Sequence, residues 1–329
     1  MDVEARPAGR GAQLGLSVAL IEKDKVGGLI CGWMIHNKDG SPMRAGAHPA
    51  LAQGKVRYVG DHVAVIIAET LAEAKDAAEA VEVDYAPLPA VVDLASATKK
   101  GVTAIHDVAP DNQVYDWHLG DKAATDAAFK KARHVTKIDL VNNRLIPNAM
   151  EPRAAIGDYN SGEDAFTLYT TSQNPHVARL VLSAFIGIAP EHKLRVIAPD
   201  VGGGFGTKLF PYREYALAAV AARKLKKTVK WTAERADHFV GDAQGRDNVT
   251  TARMALAEDG KFLGMDVDLM GDMGAYLSTF GPYIPHGGAG MLPGLYDIQA
   301  FHCRVRAVFT NTVPVDAYRG AGRPETTFL

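Results

Sequence analysis

A chain of 329 residues has room for one large or two ordinary domains, each able to bury a core. Its 36 basic and 38 acidic side chains leave a formal charge of −2 beside 47% hydrophobic residues, which excludes a basic field that would gather nucleic acid or anionic lipid. The two cysteines, Cys31 and Cys303, are too few for a disulfide framework, a four-thiolate zinc site or an iron–sulfur cluster, so any redox centre must be held by other groups.

The apolar run Leu14–Ile21 is too short to span a bilayer and no small-residue cleavage site follows it; it reads as a buried strand, and the chain as cytoplasmic. From Val56 the pattern becomes regular. Val63–Ala68 is an apolar run of strand length. Thr70 then precedes a helix with Glu73 three residues on, the spacing of a capping box, and Leu71, Ala74, Ala77, Ala78 and Val81 fall on one face. A short strand follows near Val81–Tyr85, ended by Pro87 and Pro89. Strand, helix, strand in this order predicts a mixed α/β domain.

Residues 107–122 are turn-rich, and Ala124–Ala132 reads as a short helix. Alternation then takes over. Phe166, Leu168 and Thr170 share a face; Met265, Val267 and Leu269 alternate with Asp266 and Asp268; Cys303, Val305 and Ala307 alternate with Arg304 and Arg306. Asp259-Gly260 is a hairpin signal. The second part is therefore α+β, with a boundary near residue 140.

Three runs carry possible chemistry. In residues 194–225 a strand-like stretch leads to Gly202, Gly203, Gly204 and Gly206, and Pro211 opens an amphipathic helix. A glycine loop at a helix start leaves N–H groups bare and suits phosphate. Thr207 spoils a dinucleotide fingerprint and no Walker frame fits Lys208, so a tight turn under a sheet and a ligand site both remain open. Phe205 between glycines favours a ring aimed at something. In residues 311–325, Arg319 and Arg323 bracket Gly320-Ala321-Gly322, as an oxyanion-binding fork or as two solvated arginines. In residues 169–176 a strand end presents Gln173, Asn174 and His176. Glu151, Glu214 and Glu234 read as structural or surface carboxylates.

Taken together and in order, TSQNPH (171–176), DVGGGFGTK (200–208) and AYRGAGRPE (317–325) resemble the cofactor-contacting loops of the molybdenum hydroxylases, the family of xanthine dehydrogenase, aldehyde oxidase and the large subunit of aerobic carbon monoxide dehydrogenase. VRYVGDHVAVIIAET, VEVDYAPLPAVVD, NNRLIPNAMEPRAAIGDY, VKWTAERADHF and MGAYLS extend the resemblance over residues 26–329. Residues 1–25 do not resemble the family's usual opening segment.

The resemblance implies an α/β hammerhead domain over 26–140, then the first part of a molybdopterin-binding α+β domain over 141–329. It implies a molybdenum-molybdopterin cofactor, in its cytosine dinucleotide form, whose metal is ligated by the pterin and not directly by protein side chains. Gln173 matches the glutamine that hydrogen-bonds an oxo ligand of the metal. Gly204, Phe205 and Gly206 match the loop lining the cofactor. Arg319 matches the arginine whose loop packs beside the metal, with Gly320 and Ala321 bordering the substrate cavity. Iron–sulfur and FAD cofactors are expected on partner subunits only, and the remainder of the large subunit as a further partner, with no nucleic acid and no membrane span.

Two departures narrow the expectation. The carbon monoxide oxidisers bind copper through a cysteine in a Tyr-Arg-Cys-Ser-Phe-Arg run, and that position here is Gly320, which has no thiolate. Ala321 stands where purine oxidisers place a phenylalanine, and Leu209 where they have an acidic residue. The expected substrate is thus an aldehyde or N-heterocycle, hydroxylated with oxygen from water. The family's catalytic glutamate is expected beyond Leu329, so no catalytic residue is expected in this chain, which alone should not turn over and should hold cofactor poorly. A non-catalytic cofactor-binding or assembly protein is the alternative; a nucleotide-binding α/β enzyme is a more distant one.

Overall fold

The computed structural model describes residues 2–5 and 35–329. The expected strand at Leu14–Ile21, Cys31 and most of the segment 1–25 lie outside these residues. β1 (Asp2–Ala5) pairs antiparallel with β2 (Val83–Ala86), which Pro87 follows as expected. α1 (Leu71–Glu79) begins at the predicted capping box: Thr70 Oγ1 accepts the Glu73 N–H at 3.2 Å, and the Glu73 carboxylate accepts the Thr70 N–H at 3.0 Å.

Two expectations for this stretch fail. Val63–Ala68 joins no ladder among the described residues. No residue of α1 is buried, and Leu71 is 69% exposed. A cap is decided by neighbours three residues apart, whereas burial needs a partner surface, and an alanine stripe offers little area to hold one.

Five strands form the main sheet: β3 (Gln113–Gly120), β4 (His134–Asn142), β9 (Asn248–Leu256), β10 (Phe262–Asp272) and β11 (Phe301–Val308), in the order β3-β11-β10-β9-β4. β9 and β10 make the predicted hairpin, with Gly260 at φ +82° in the connection. β10 and β11 run parallel, and the other pairings are antiparallel. Alternation holds: Met265, Val267, Leu269, Cys303, Val305 and Ala307 are all buried in one core. On the opposite face Arg306 meets Asp268 at 2.7 Å and Arg304 meets Asp116 on β3 at 2.5 Å. Burial pushes the Cys303 thiol up to about 12, so it is a core residue and not a thiolate. α2 (Lys122–Lys131) links β3 to β4, capped by Asp121, which accepts the Ala124 N–H at 2.9 Å.

The second sheet has the order β7-β6-β5-β8, from β5 (Ala154–Asn160), β6 (Ala165–Thr170), β7 (Leu194–Ile197) and β8 (Val229–Thr232). α4 (Arg213–Leu225) lies on it through Tyr215, Ala216, Ala218 and Ala219. The approach is close enough that a Cβ on Gly157 of β5 would stand 2.5 Å from the Ala218 carbonyl oxygen. α3 (Pro175–Leu180) starts where Asn174 accepts the Val177 N–H at 3.1 Å, with Pro175 in the first turn. The short helices α5 (Arg235–Val240), α6 (Tyr283–Ala289) and α7 (Arg323–Phe328) complete the fold. No helix among the described residues is long and apolar enough to cross a membrane.

This topology positions three loops. β6 and β7 are parallel neighbours, Phe166 opposite Leu194 and Tyr169 opposite Ile197. Their carboxyl ends therefore lie side by side and deliver residues 171–174 and 198–212. The carboxyl end of β11 in the main sheet delivers residues 309–322. Isolated bridges Leu145↔Gly245 and Gln244↔Val315 join the connecting segments. In open sheets the crevice beyond strand carboxyl ends is where ligands are held.

Candidate functional site

The three loops are bonded to one another. Gln173 Oε1 accepts the N–H of Gly206 at 2.9 Å and of Lys208 at 3.3 Å, and the Gln173 N–H donates to the Lys208 carbonyl at 2.8 Å. The Arg319 N–H donates to the Phe205 carbonyl at 2.9 Å. Glycines make these approaches possible. A Cβ on Gly204 would stand 2.3 Å from Gln173 Oε1, and one on Gly206, at φ +114°, 2.1 Å from the Ala317 carbonyl oxygen. Gln173, Gly204, Phe205, Gly206 and Arg319 are therefore brought together, with Gly320 and Ala321 continuing the same turn as Arg319.

Backbone strain gathers here. Phe205 (φ +53°), Ala321 (φ +51°), Arg246 and Asp247 (both φ +65°) are non-glycine residues in the left-handed region, and Gly203, Gly206, Gly320 and Gly322 also have positive φ. For a bulky residue such as Phe205 the conformation is a real outlier. It leaves the ring 45% exposed. Asn174 and His176 go elsewhere: Asn174 caps α3, and His176 lies in its first turn.

One expectation from sequence is corrected. The glycine loop does not form the amino terminus of a helix, since α4 begins at Arg213 with Tyr212 as its cap, two residues after the expected Pro211. Most of the loop's N–H groups are also committed: Gly202 to Glu151, Gly203 to Val201, Gly206 and Lys208 to Gln173, Thr207 to Gly204, and Leu209 to Gly206. Only the successive N–H groups of Gly204 and Phe205 stay bare, a shorter run than a phosphate cradle at a helix amino terminus offers, which weighs against the nucleotide reading. The cause is tertiary, because Gln173 and Glu151 come from other loops to take those donors.

Uncommitted donors remain. Among the described residues, the N–H groups of Gly204, Phe205 and Gly320, the Gln173 carboxamide NH2 and the Arg319 guanidinium donate to no protein acceptor. Three touching turns thus present amide, carboxamide and guanidinium donors, a set that fits an anionic, oxygen-rich group.

Several supporting residues escaped sequence reasoning. Arg246 grips the arginine turn, donating to the Arg319 carbonyl at 2.9 Å and pairing with Glu325 at 2.8 Å. Asp316 lies at the root of that turn and accepts the N–H of Ala317 at 2.6 Å and of Phe280 at 3.0 Å; burial pushes its carboxyl up to about 6. Arg153, fully buried, pairs with Asp242 at 2.5 Å and Glu214 at 3.0 Å and stacks over the Tyr212 ring at 3.7 Å. Tyr212 passes that order to the glycine loop by donating to the Thr207 carbonyl at 2.7 Å. Burial works against the charge on Glu214, but Arg153 overcomes it and holds the carboxyl down at about 2. Glu234 caps α5 and pairs with Lys75 at the surface. The three carboxylates are structural or superficial, as their sequence context predicts. The arginines gave no local signal, because an isolated arginine looks the same whether solvated or buried.

Comparison with known proteins identifies the family. The family described as "Molybdopterin cofactor-binding domain" matches residues 105–329, and "Aldehyde oxidase and xanthine dehydrogenase, a/b hammerhead domain" matches 21–89. The chain is 36% identical to the carbon monoxide dehydrogenase large chain of Hydrogenophaga pseudoflava, covering 80% of this chain and 34% of that one. It is 34% identical to subunit gamma of the 6-hydroxypseudooxynicotine dehydrogenase complex of Paenarthrobacter nicotinovorans, covering 86% and 35%. The structure superposes on aldehyde oxidoreductase from Desulfovibrio gigas with a TM-score of 0.84 at 25% identity, over 94% of this chain and 33% of that one. The chain spans about a third of the length of these relatives.

Proposed function

This chain belongs to the molybdopterin cofactor-binding family of the molybdenum hydroxylases, and from that premise we propose that it forms the cofactor-gripping part of a hydroxylase large subunit. One observation carries the reading: the glutamine, glycine–phenylalanine and arginine turns are bonded to one another and leave amide, carboxamide and guanidinium donors uncommitted among the described residues. In the proposed complex the cofactor is molybdenum-molybdopterin in its cytosine dinucleotide form, and electrons leave through iron–sulfur and FAD subunits in the cytoplasm. When bound, that cofactor supplies the two-electron oxidation of a substrate carbon, with the added oxygen drawn from water.

The chain's own residues then have separate tasks. The Gln173 NH2 donates to an oxygen of the cofactor while its Oε1 stays bound to the loop behind it. Gly204, Phe205 and Arg319 would supply donors to its anionic groups, and the half-exposed Phe205 ring would help to exclude water from them. Gly320 and Ala321, without bulk or thiolate, border the substrate and favour an aldehyde or N-heterocycle over carbon monoxide. A relative named for a nicotine-derived substrate supports the heterocycle. The proton-accepting carboxylate is none of Glu151, Glu214 and Glu234, which are engaged with Lys208, Arg153 and Lys75. The sequence divides the hammerhead and cofactor units near residue 140; the place of β3 and β4 in one sheet with β9 to β11 argues for a division upstream of β3.

The test is to purify the chain within its assembled complex from a host that makes molybdopterin, and to measure molybdenum and pterin per subunit. Wild type should retain both, and Gln173→Leu and Arg319→Leu should each lose most of them while assembling normally. Equal retention by both variants would overturn the assignment.

A further inference from the structure

Lys208 has no exposed surface, although its side chain ends in a polar amino group. Among the described residues its Nζ has a single hydrogen-bonded partner, Glu151 Oε2 at 2.7 Å, and that same oxygen accepts the Gly202 N–H at 2.8 Å. The Lys208 backbone faces the other way: its N–H goes to Gln173 Oε1, and its carbonyl accepts from the Gln173 N–H and, at 3.4 Å, from the Ser172 hydroxyl. One residue thus ties both ends of the glycine loop to the glutamine turn. Burying an ammonium is costly unless it is paired, and an apolar side chain of the same length would fill the space without that cost. What the charge adds is direction. It fixes Glu151, and through it Gly202, so that the loop closes on the oxygen end of Gln173. Burial opposes the charge on Glu151, but the bonds from Lys208 and the Gly202 N–H hold its carboxyl below the ordinary range.

We propose that Lys208 and Glu151 are a positioning pair that sets the orientation of the Gln173 carboxamide, holding Oε1 inward and the NH2 outward as a donor. Neither touches the proposed ligand. Only the identity of what the NH2 meets rests on the function proposed above.

The test uses the ligand-free chain labelled with 15N on glutamine and glycine; its six glutamines keep the side-chain spectrum simple, and Gly206 and the β10 glycines Gly264 and Gly271 report exchange. In wild type the Gln173 NH2 pair should be resolved from the solvent-averaged position, and the Gly206 amide should be protected from exchange. In Lys208→Met the pair should collapse to the averaged position and Gly206 exchange should rise about tenfold, with exchange in β10 unchanged. Glu151→Gln should move both readouts the same way by a smaller factor, and Lys208→Arg, which keeps the charge, should restore the resolved pair. An unmoved Gln173 signal in folded Lys208→Met and Glu151→Gln would show that the pair only stabilises the fold and would overturn the proposal. If Lys208→Met does not fold, Glu151→Gln decides alone, because its side chain is partly exposed. A complex that takes up no molybdopterin would sink the proposed function and leave these spectra unaffected.

Discussion

Tyr212 stands between two polar regions that use charge in opposite ways. On one side, Arg153, Glu214 and Asp242 are buried together and their charges are directed at one another. On the other, the three-turn cluster is held mainly by backbone bonds and by residues in the left-handed region, and its guanidinium and carboxamide donors face outward. A scaffold that must not move can satisfy its charges internally. A surface that must receive an anion has to leave its front donors free, so its rigidity comes from behind, from backbone geometry, close glycine contacts and the Lys208–Glu151 pair.

That contrast can be broken from either side. The largest expected effect is Arg153→Met, which leaves Glu214 and Asp242 buried without their cation and should cost about 3–5 kcal/mol in urea unfolding. The next is acid. Because the folded state holds the Glu214 carboxyl down at about 2, below its ordinary 4.5, the pair's contribution is present above pH 4.5 and is lost as the pH falls toward 2. Glu214→Gln should flatten the stability-versus-pH curve in that window; an unchanged slope would mean that other carboxylates carry the acid sensitivity. Gly206→Ala acts on the cluster instead. Its Cβ would collide with the Ala317 carbonyl at a positive φ, costing roughly 1–3 kcal/mol, and exchange at the Arg319 amide should rise while the Arg153 region stays protected. The smallest effect should have the opposite sign. Phe205→Gly relieves a left-handed phenylalanine and should stabilise the chain by up to about 1 kcal/mol, yet lower pterin retention in the complex. A variant that gained stability and kept its pterin would show that the ring has no part in binding.

The sequence alone determined the elements whose signals lie within a few residues: the Thr70 capping box, the Asp259-Gly260 hairpin, and the alternation that buries Met265, Val267 and Leu269 and turns their acidic neighbours to the other face. It also singled out the runs that the fold brings together, two by glycines flanking a phenylalanine or bracketed by arginines and the third, at Gln173, by resemblance. Tertiary structure decided the rest. It left α1 without a buried face, moved the helix start to Arg213, and replaced the predicted bare-amide cradle by a loop whose amides are taken by Gln173 and Glu151. Those partners are 33 and 51 positions away in the chain, a separation at which no local pattern records who will meet whom. Which donors stay uncommitted follows only after the sheets have brought their carboxyl ends together.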